Sequence, residues 1–309
     1  MADLASARVG GRATRTNDDF FAPKSNLVKP EAAIFIPGKF TARGKWMDGW
    51  ESRRRRTPGH DWCIVQLGMR GAIRGVNIDT SHFTGNYPSH ASIEAMDGKE
   101  PWVEILPQSA LRGNGDNYFE IRDDRAWTDV RLNIFPDGGV ARLRVYGDVH
   151  VDWKDVTRTG RVVDLASIKN GGLVIGASDM HFGAKDNMIM PGRAKNMGDG
   201  WETRRRRGPG YDWAIVRLGA RGRISKIEID TNHFKGNYPE SASVEGCWAH
   251  PIEDARWQEI LPRTKLAPHR RHFFAKELRD VGPVSHVRLN IYPDGGVSRF
   301  RVYGIVAAD

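Results

Sequence analysis

Carboxyl, imidazole, guanidinium and amide side chains recur at fixed spacing in two segments of the chain, residues 48–88 and 199–239. The two segments align without a gap, and 28 of their 41 positions are identical. A duplicated core needs only matching apolar residues, but here the charged and amide residues match as well. Carboxyl and imidazole groups can accept or donate protons during a reaction. The candidate acid–base residues are Glu51, Asp79 and His82 in the first copy, with Glu202, Asp230 and His233 in the second.

A run of four arginines follows the first of these acids in each copy. In an extended segment alternate side chains point to opposite faces, so at most two arginines per run can converge on one ligand. A guanidinium group can bind a carboxylate or phosphate through two parallel hydrogen bonds. The alternative is a solvated or salt-bridged segment. Glu51, Glu202, Asp61 and Asp212 are natural counterions, so a mixed role is expected. Together with two residues of a following loop, the candidate binding residues are Arg53, Arg54, Arg55, Arg56, Asn86 and Tyr87, and Arg204, Arg205, Arg206, Arg207, Asn237 and Tyr238.

A second polar cluster lies where an alternating strand gives way to the loop HFTGNYP at residues 82–88, which reads HFKGNYP in the second copy. Functional side chains are often found in such loops, on a rigid scaffold. A single loop histidine is more often structural, but here an aspartate, a histidine and an asparagine are repeated together. Their spacing does not match a metal signature such as HExxH. No cofactor is predicted, and a divalent metal is left open.

One difference between the copies concerns a position that could transfer protons. His60 corresponds to Tyr211 within otherwise matching GxDW sequences. Histidine changes its charge near neutral pH. His60 is therefore a further acid–base candidate, and the two copies need not be equivalent. Either one copy is catalytic and the other supports it, or a shared site forms between them.

Short strands must position these residues. Apolar runs and period-two alternation predict strands at residues 61–67, 73–80, 91–96, 102–106 and 118–121. With turn signals at the spacing typical of sandwiches, these strands predict an all-β protein built from two tandem antiparallel β-sandwiches. The repeats are expected at residues 17–150 and 170–306, joined by a linker at 151–169 that contains a short helix. Residues 1–16 are small, polar and rich in Gly and Arg, and are expected to be disordered or loosely attached.

The last unit of each repeat, residues 130–147 and 287–304, contains two alternating runs around Pro-Asp-Gly-Gly. Proline presets one turn dihedral and glycine accepts positive φ, so the pattern predicts a β-hairpin. The aspartate is explained by the turn alone. The arginines of the second run are expected on the outer face of the hairpin in structural roles; they are Arg142, Arg144, Arg299 and Arg301.

Charge, cysteine content and the length of apolar runs limit the classes of protein to which the chain can belong. The formal net charge is +9 and the pI is about 9.7, which would attract polyanions, but eight of the arginines lie in the two runs. Cys63 and Cys247 each correspond to a non-cysteine in the other copy, which argues against a disulfide framework and a cysteine zinc site. No run approaches the roughly 20 apolar residues needed to cross a bilayer. We therefore expect a cytoplasmic protein without a membrane or nucleic-acid partner.

Three sequence blocks, each present in both copies, together resemble the allantoicase family. They are WE[ST]RRRR-x-PG-x-DW-x-IV-x-LG, then IDT-x-HF-x-GNYP, and then VRLNI-x-PDGGV-x-R-x-RVYG. The resemblance covers about residues 17–306. It implies two jelly-roll-like sandwiches similar to galactose-binding modules, assembled into a homo-oligomer. It also implies hydrolysis of the small molecule allantoate to ureidoglycolate and urea in purine catabolism, at a linear ureido C–N bond.

The resemblance suggests roles for the two polar clusters. Allantoate carries one carboxylate and two ureido groups on a single carbon. An arginine of residues 53–56 is expected to bind the carboxylate, and Asn86 a ureido group. Glu51, Asp79 or His82 is expected to activate water or to protonate the departing urea.

Two alternatives come from other classes of protein. One is a carbohydrate- or anion-binding module without catalysis, since sandwich folds serve many functions. It predicts ligand binding without urea release. The other is a nucleic-acid binder, whose affinity would fall steeply with salt. That alternative leaves the repeated acids, histidine and asparagine without a role.

Overall fold

Two compact units, Met1–His150 and Val151–Asp309, make up the chain. The computed structural model describes residues 1–248, 252 and 255–307. The described part of each unit is dominated by antiparallel strands, and both units share one sheet order. The prediction of an all-β chain with two tandem antiparallel sheet domains is therefore confirmed.

The first unit also contains short 3-10 helices at Ala7–Val9 and Lys24–Val28. Its strands are β1 (Ala2–Asp3), β2 (Arg12–Thr16), β3 (Phe40–Thr41), β4 (Gly44–Lys45), β5 (Trp50–Glu51), β6 (Asp61–Asp79), β7 (His90–Met96), β8 (Val103–Ala110), β9 (Tyr118–Glu120), β10 (Ala126–Phe135), β11 (Gly139–Val140) and β12 (Arg142–Val149).

The second unit begins with the helix α1 (Trp153–Thr159), which matches the short helix predicted near the linker. Its 3-10 helices are Ile168–Asn170, Lys185–Ile189 and Met197–Asp199. Its strands are β13 (Val163–Asp164), β14 (Leu173–Ala177), β15 (Trp201–Glu202), β16 (Asp212–Asp230), β17 (Ser241–Cys247), β18 (Gln258–Lys265), β19 (Arg271–Phe274), β20 (Val284–Tyr292), β21 (Gly296–Val297) and β22 (Arg299–Val306). Within the described residues, no helix has the length and apolar character that a membrane span requires.

One long strand organises each unit. The segments predicted as two strands at 61–67 and 73–80 form the single strand β6. Its first half pairs with β2 and β10, and its second half pairs with β12 and β9. Buried side chains such as Val65 and Ile78 line the core along its length. β16 has the same relation to β14, β20, β22 and β19 in the second unit.

The prediction that residues 1–16 are disordered or loosely attached is wrong. β1 pairs with β12, and β2 pairs with β6. The side chains of Leu4 and Ala5 are fully buried. A short apolar stretch within a polar segment is enough to anchor the N-terminus because the sheet has unpaired strand edges to which it can bind.

The predicted hairpin at residues 130–147 is also wrong. β10 and β12 do not pair with each other, because β6 lies between them and pairs with both. The same holds for β20, β16 and β22 in the second unit. The Pro-Asp-Gly-Gly segment therefore crosses over β6 instead of closing a tight turn between neighbours.

The arginines expected on an outer hairpin face are instead buried or nearly so. Arg142 is 1% exposed and donates hydrogen bonds to the carboxylate of Asp48 and to the backbone carbonyls of Glu31, Ala32 and Asp48. Burial tends to raise the pKa of Asp48, but the hydrogen bonds from Arg142 and Lys29 outweigh it and hold that pKa below its ordinary value. A buried guanidinium group is tolerated when it is paired and its donors are satisfied.

The Pro-Asp-Gly-Gly crossover makes a very close contact with the loop after β6. The N–H of Gly139 donates to the carbonyl of Asn86 (2.7 Å), and a Cβ at Gly139 would lie 1.9 Å from the ring of Phe83. Phe83 is itself fully buried and cannot move away. Only glycine fits here, so the repeated glycines have a packing role beyond the turn itself.

This contact predicts the effect of adding one methyl group. Gly139→Ala should lower the free energy of unfolding by about 1–3 kcal/mol, the usual cost of overpacking a rigid core. Urea denaturation monitored by circular dichroism measures it. Gly85→Ala is the matched control, because no atom lies within 4 Å of the added Cβ and its φ is not positive. Equal midpoints for the two variants would contradict this account of the contact.

Candidate active site

Glu51 and Asn86 come together at one end of the first unit. β5 pairs with β11, which places Glu51 opposite Gly139, and Gly139 in turn binds the backbone of Asn86. The amide of Asn86 donates to Oε1 of Glu51 at 2.7 Å. Burial raises the pKa of Glu51, and the hydrogen bond from Asn86 opposes that shift only in part. A carboxyl group in this environment is suited to proton transfer.

His82 lies beside this pair in a strained backbone conformation. Its φ is +71°, which is uncommon for a residue with a Cβ. The conformation is held because the N–H of His82 donates to Oδ1 of Asn114 (2.9 Å) and the N–H of Phe83 donates to the carbonyl of Thr80 (2.9 Å). Strain of this kind, about 1–3 kcal/mol, persists where the surroundings enforce it and is concentrated at functional sites.

The hydrogen-bond partner of the His82 imidazole determines which ring nitrogen carries the hydrogen. Nε2 lies 3.2 Å from the carbonyl oxygen of Ala33. A carbonyl oxygen can only accept, so Nε2 carries a hydrogen and Nδ1 is the nitrogen that remains for a substrate. The ring also stacks on Phe35, with 5.9 Å between the ring centroids.

A cavity of about 360 Å³ joins these groups in the first unit. It is lined by the candidate residues Glu51, His82 and Asn86 together with Phe21, Gly44, Lys45, Met47, Thr84 and Gly85. Three lining residues, Gly44, Lys45 and Met47, belong to the connection 31–47, which contains the β3–β4 hairpin. Nζ of Lys45 lies 4.5 Å from the ring centroid of Phe35, and its charge partly offsets the raised pKa of Glu51.

The second unit repeats the three groups but not the connection. The amide of Asn237 donates to Oε1 of Glu202, and Nε2 of His233 lies 3.0 Å from the carbonyl of Ala194. His233 has the same positive φ, +72°. The segment 192–198, however, is only seven residues long, against seventeen for 31–47. The described part of the second unit therefore has no counterpart of the hairpin that carries Lys45.

The arginine runs divide into paired and exposed residues. The side chain of Arg55 binds the buried carboxylate of Asp61 at 2.7 Å. The backbone N–H of Arg55 donates to the carboxylate of Asp137, so the turn alone does not explain Asp137. Arg53 binds Asp18 at 2.7 Å. The counterparts Arg206 and Arg204 bind Asp212 (2.5 Å) and Asp179 (4.0 Å). Four exposed arginines have no hydrogen-bond or ion-pair partner in the described part of the chain; they are Arg54, Arg56, Arg205 and Arg207.

No arginine of the first run lines the 360 Å³ cavity. The run is irregular beyond Glu51 instead of forming a strand, so the expected alternation does not apply. The structure thus does not bring the expected guanidinium clamp together with Glu51 and His82. The cation at this cavity is Lys45, which lies outside the repeated pattern.

The remaining candidates lie apart from this cavity. Asp79 does not line it, and its carboxylate accepts from the N–H of Ser81 at 2.8 Å. Its counterpart Asp230 lines a different cavity in the second unit. The ring of His60 packs on Phe135, and the ring of Tyr211 packs on Tyr292. Phe135 and Tyr292 each precede a cis-proline in the crossover of their unit.

The two loop tyrosines, Tyr87 and Tyr238, are half-buried. Tyr87 packs against the buried cluster formed by Met47, Phe83 and Ala141, which is a structural role. Among residues 1–248, 252 and 255–307, no three His, Cys, Asp or Glu side chains are grouped so that they could hold a metal ion. Both cysteines are free and buried, and burial raises the pKa of the Cys63 thiol to about 12.

The fold and this geometry define a duplicated all-β protein in which each copy joins a carboxyl, an amide and an imidazole group. A family model described as Allantoicase repeat matches residues 2–150 and 163–307. The chain belongs to the allantoicase family.

Relatives support this assignment over the whole chain. Probable allantoicase 1 of Burkholderia mallei is 53% identical over 316 residues, covering 98% of this chain and 94% of that protein. A probable allantoicase of Ralstonia nicotianae is 50% identical over 316 residues, with the same 98% and 94% coverage. The comparisons confirm allantoicase function and do not favour the non-catalytic module.

Solved structures agree with the sequence relatives. The crystal structure of allantoicase from Saccharomyces cerevisiae is 37% identical, with a TM-score of 0.84 over 98% of this chain and 92% of that chain. A second allantoicase structure is 36% identical, with a TM-score of 0.85 and the same coverage. The fold of this chain is therefore that of the family's solved structures.

The division of the arginine run predicts two different mutant phenotypes. Arg55→Ala removes the ion-pair partner of the Asp61 carboxylate, which is 3% exposed, so it should lower the free energy of unfolding by about 2–3 kcal/mol. This loss is somewhat smaller than for a fully buried pair, because Arg55 itself is 24% exposed. Arg54→Ala, one residue away and exposed, should stay within about 0.5 kcal/mol of the parent protein. Chemical denaturation of both variants measures the difference, and equal losses would contradict the division.

Proposed function

We propose that allantoate is hydrolysed to ureidoglycolate and urea in the 360 Å³ cavity of the first unit. The observation that carries the proposal is the joint placement of Glu51, His82, Asn86 and Lys45 around one cavity in a chain of the allantoicase family. In the reaction a C–N bond from the central carbon to a ureido nitrogen breaks and a C–O bond to water forms. One proton leaves the water and one reaches the departing urea.

Lys45 binds the substrate carboxylate. It is the cation among the cavity-lining residues, and its ammonium group offers three donors without an acceptor. Lys45 lines the same cavity as Glu51 and His82, so a carboxylate bound by Lys45 would lie close to the acid–base groups. This assignment replaces the arginine clamp expected from the sequence.

Glu51 accepts the proton of the attacking water. Its pKa is raised by burial, which makes it a stronger base than an exposed glutamate while it is ionised. Asn86 holds one oxygen of the carboxylate and so fixes its orientation. The second hydrogen on Nδ2 and the side-chain oxygen Oδ1 of Asn86 remain for a ureido group of the substrate.

His82 protonates the departing ureido nitrogen from Nδ1. The carbonyl of Ala33 accepts from Nε2, so it supports the protonated ring and leaves the Nδ1–H for the substrate. Loss of the urea anion would be slow in water, and proton donation to a leaving group typically contributes about 10²–10⁴-fold. The strained backbone of His82 places the ring at the cavity wall.

The first unit is the catalytic one in this proposal. Both units hold the carboxyl, amide and imidazole groups, but among the residues that the structure describes, the hairpin that supplies Lys45 to a cavity wall is found in the first unit alone. A homo-oligomeric assembly and a cytoplasmic location stay predictions.

Urea release from allantoate by the purified chain tests the activity, and Glu51→Gln tests the site. We expect Glu51→Gln to lower kcat by about 10²–10⁴-fold, as for loss of one acid–base group. In the parent enzyme kcat/KM should fall as the pH decreases through the pKa of Glu51. Because burial raises that pKa, the fall should begin above the pH range of an ordinary glutamate.

Glu202→Gln is the matched control, since Glu202 has the same amide partner in the second unit. We expect it to retain most of the activity. Loss of turnover in Glu202→Gln with an active Glu51→Gln would move catalysis to the second unit. Urea release measured with and without a chelator decides separately whether a metal takes part.

Lys45→Ala should raise KM and lower kcat/KM by about 10–100-fold, which corresponds to a charge-assisted hydrogen bond of about 1.5–3 kcal/mol. Lys45→Arg should recover much of the loss because it restores the cation. Lys39→Ala, in the same connection but over the ring of Trp46, is the control and should keep the parent kinetics. Unchanged kcat/KM in Lys45→Ala would exclude the residue from carboxylate binding.

A further inference from the structure

A second cavity, of about 370 Å³, lies wholly within the second unit, and neither Glu202 nor His233 lines it. Its volume is within the range of about 300–1,000 Å³ typical of small-molecule sites. It is lined by charged and hydrogen-bonding side chains from β13, β16, β19 and β22. Nothing in the chemistry proposed for the first unit uses it.

Guanidinium groups form one part of the wall. Arg299 and Arg301 are buried and bind backbone carbonyls of residues 189–199, so they brace the wall and the 3-10 segment behind it. Arg193, in contrast, is exposed at the cavity and has no hydrogen-bond partner among the described residues. Its positive charge partly offsets the rise that burial causes in the pKa of Asp230, without a hydrogen bond between the two side chains. Arg193 is therefore a donor available to an anion.

Carboxyl groups form another part of the wall. Burial raises the pKa of Asp230, whose carboxylate accepts from the N–H of Asn232 at 2.8 Å. Burial also raises the pKa of Asp164 to about 6, although Arg301 lies 3.6 Å away. Two desolvated carboxylates in one cavity would be stabilised by N–H donors from a ligand.

The acids and buried arginines of this cavity have counterparts in the first unit, but the remaining charged positions differ. Arg193 corresponds to Ala32, because Ala194 and Ala33 each accept from the imidazole of their own unit. The ion pair between Arg271 and Glu228 (2.6 Å) is replaced by a hydrogen bond from Asn77 to Asp116 (2.7 Å). The second unit thus has arginines, Arg193 and Arg271, at two positions where the first unit has Ala32 and Asp116.

We propose that the cavity of the second unit binds a small carboxylate that also carries N–H donors. Arg193, with Arg271 beside it, binds the carboxylate, and Asp230 and Asp164 accept the N–H groups. A ureido-substituted carboxylate has this combination of groups. The choice of allantoate as the probe rests on the proposed function, whereas the cavity chemistry stands independently of it.

The test is the stoichiometry of allantoate binding to the full-length Glu51→Gln chain, in which turnover is slow, measured by isothermal titration calorimetry. We expect two equivalents per chain. Adding Arg193→Ala, which installs the first unit's residue, should weaken one of them by about tenfold or more, as for loss of a charged hydrogen bond. Adding Lys276→Ala, which removes an exposed charge elsewhere in the second unit, should leave both unchanged.

Each other outcome is decisive. One equivalent that is unaffected by Arg193→Ala and lost in Lys45→Ala overturns the second cavity and leaves the proposed function intact. One equivalent that is lost in Arg193→Ala and kept in Lys45→Ala supports the second cavity and overturns the site proposed in the first unit. Two equivalents that are both unaffected by Arg193→Ala overturn the second cavity. No binding in any variant overturns both proposals.

Discussion

The contact between the Pro-Asp-Gly-Gly crossover and the loop after β6 determines where the reactive groups lie. Gly139 pairs with Glu51 on one side and binds the backbone of Asn86 on the other. The ring of Phe83 fills the space that a side chain at Gly139 would need. Carboxyl and amide groups from distant parts of the sequence are thereby held within 2.7 Å of each other without help from a ligand. Such preorganisation is what an acid–base site requires.

Duplication preserved this contact and changed what surrounds it. Glu202, Asn237 and His233 repeat the hydrogen bonds of the first unit. The hairpin with Lys45 belongs to one unit and the charged cavity with Arg193 to the other. Two copies of one scaffold thus offer different surroundings for small polar ligands.

The sequence predicted the all-β fold, the duplication and three of the residues that line the first cavity. Matching charged residues in both copies marked Glu51, His82 and Asn86, because a shared core alone would not have kept them. Lys45 carries no such signal, because it lies in a segment that has no matching residues in the second copy. No property of residues 31–47 alone indicates that they fold over His82.

Alternation of apolar and polar residues within a short segment does not determine which strands pair with each other. Alternation around Pro-Asp-Gly-Gly predicts a hairpin, but the 19-residue strand β6 lies between its two arms. Pairing between strands far apart in sequence depends on the whole sheet, which a local window does not contain. For the arginine run, the pattern predicts both a clamp and internal counterions, and the structure has the ion pairs of Arg55 with Asp61 and of Arg206 with Asp212 but no clamp at the first cavity.

The way Arg142 and Arg299 hold their connecting segments has a consequence for how this scaffold can diverge. Both guanidinium groups bind backbone carbonyls of the connection, together with one aspartate at its end. Backbone carbonyls are present whatever the side chains are, so the attachment places little demand on the sequence between its ends. Insertions and substitutions there are tolerated while both ends stay fixed, as seventeen residues in one unit and seven in the other illustrate. Substrate preference can therefore evolve, or be engineered, by exchanging this connection without rebuilding the sheet.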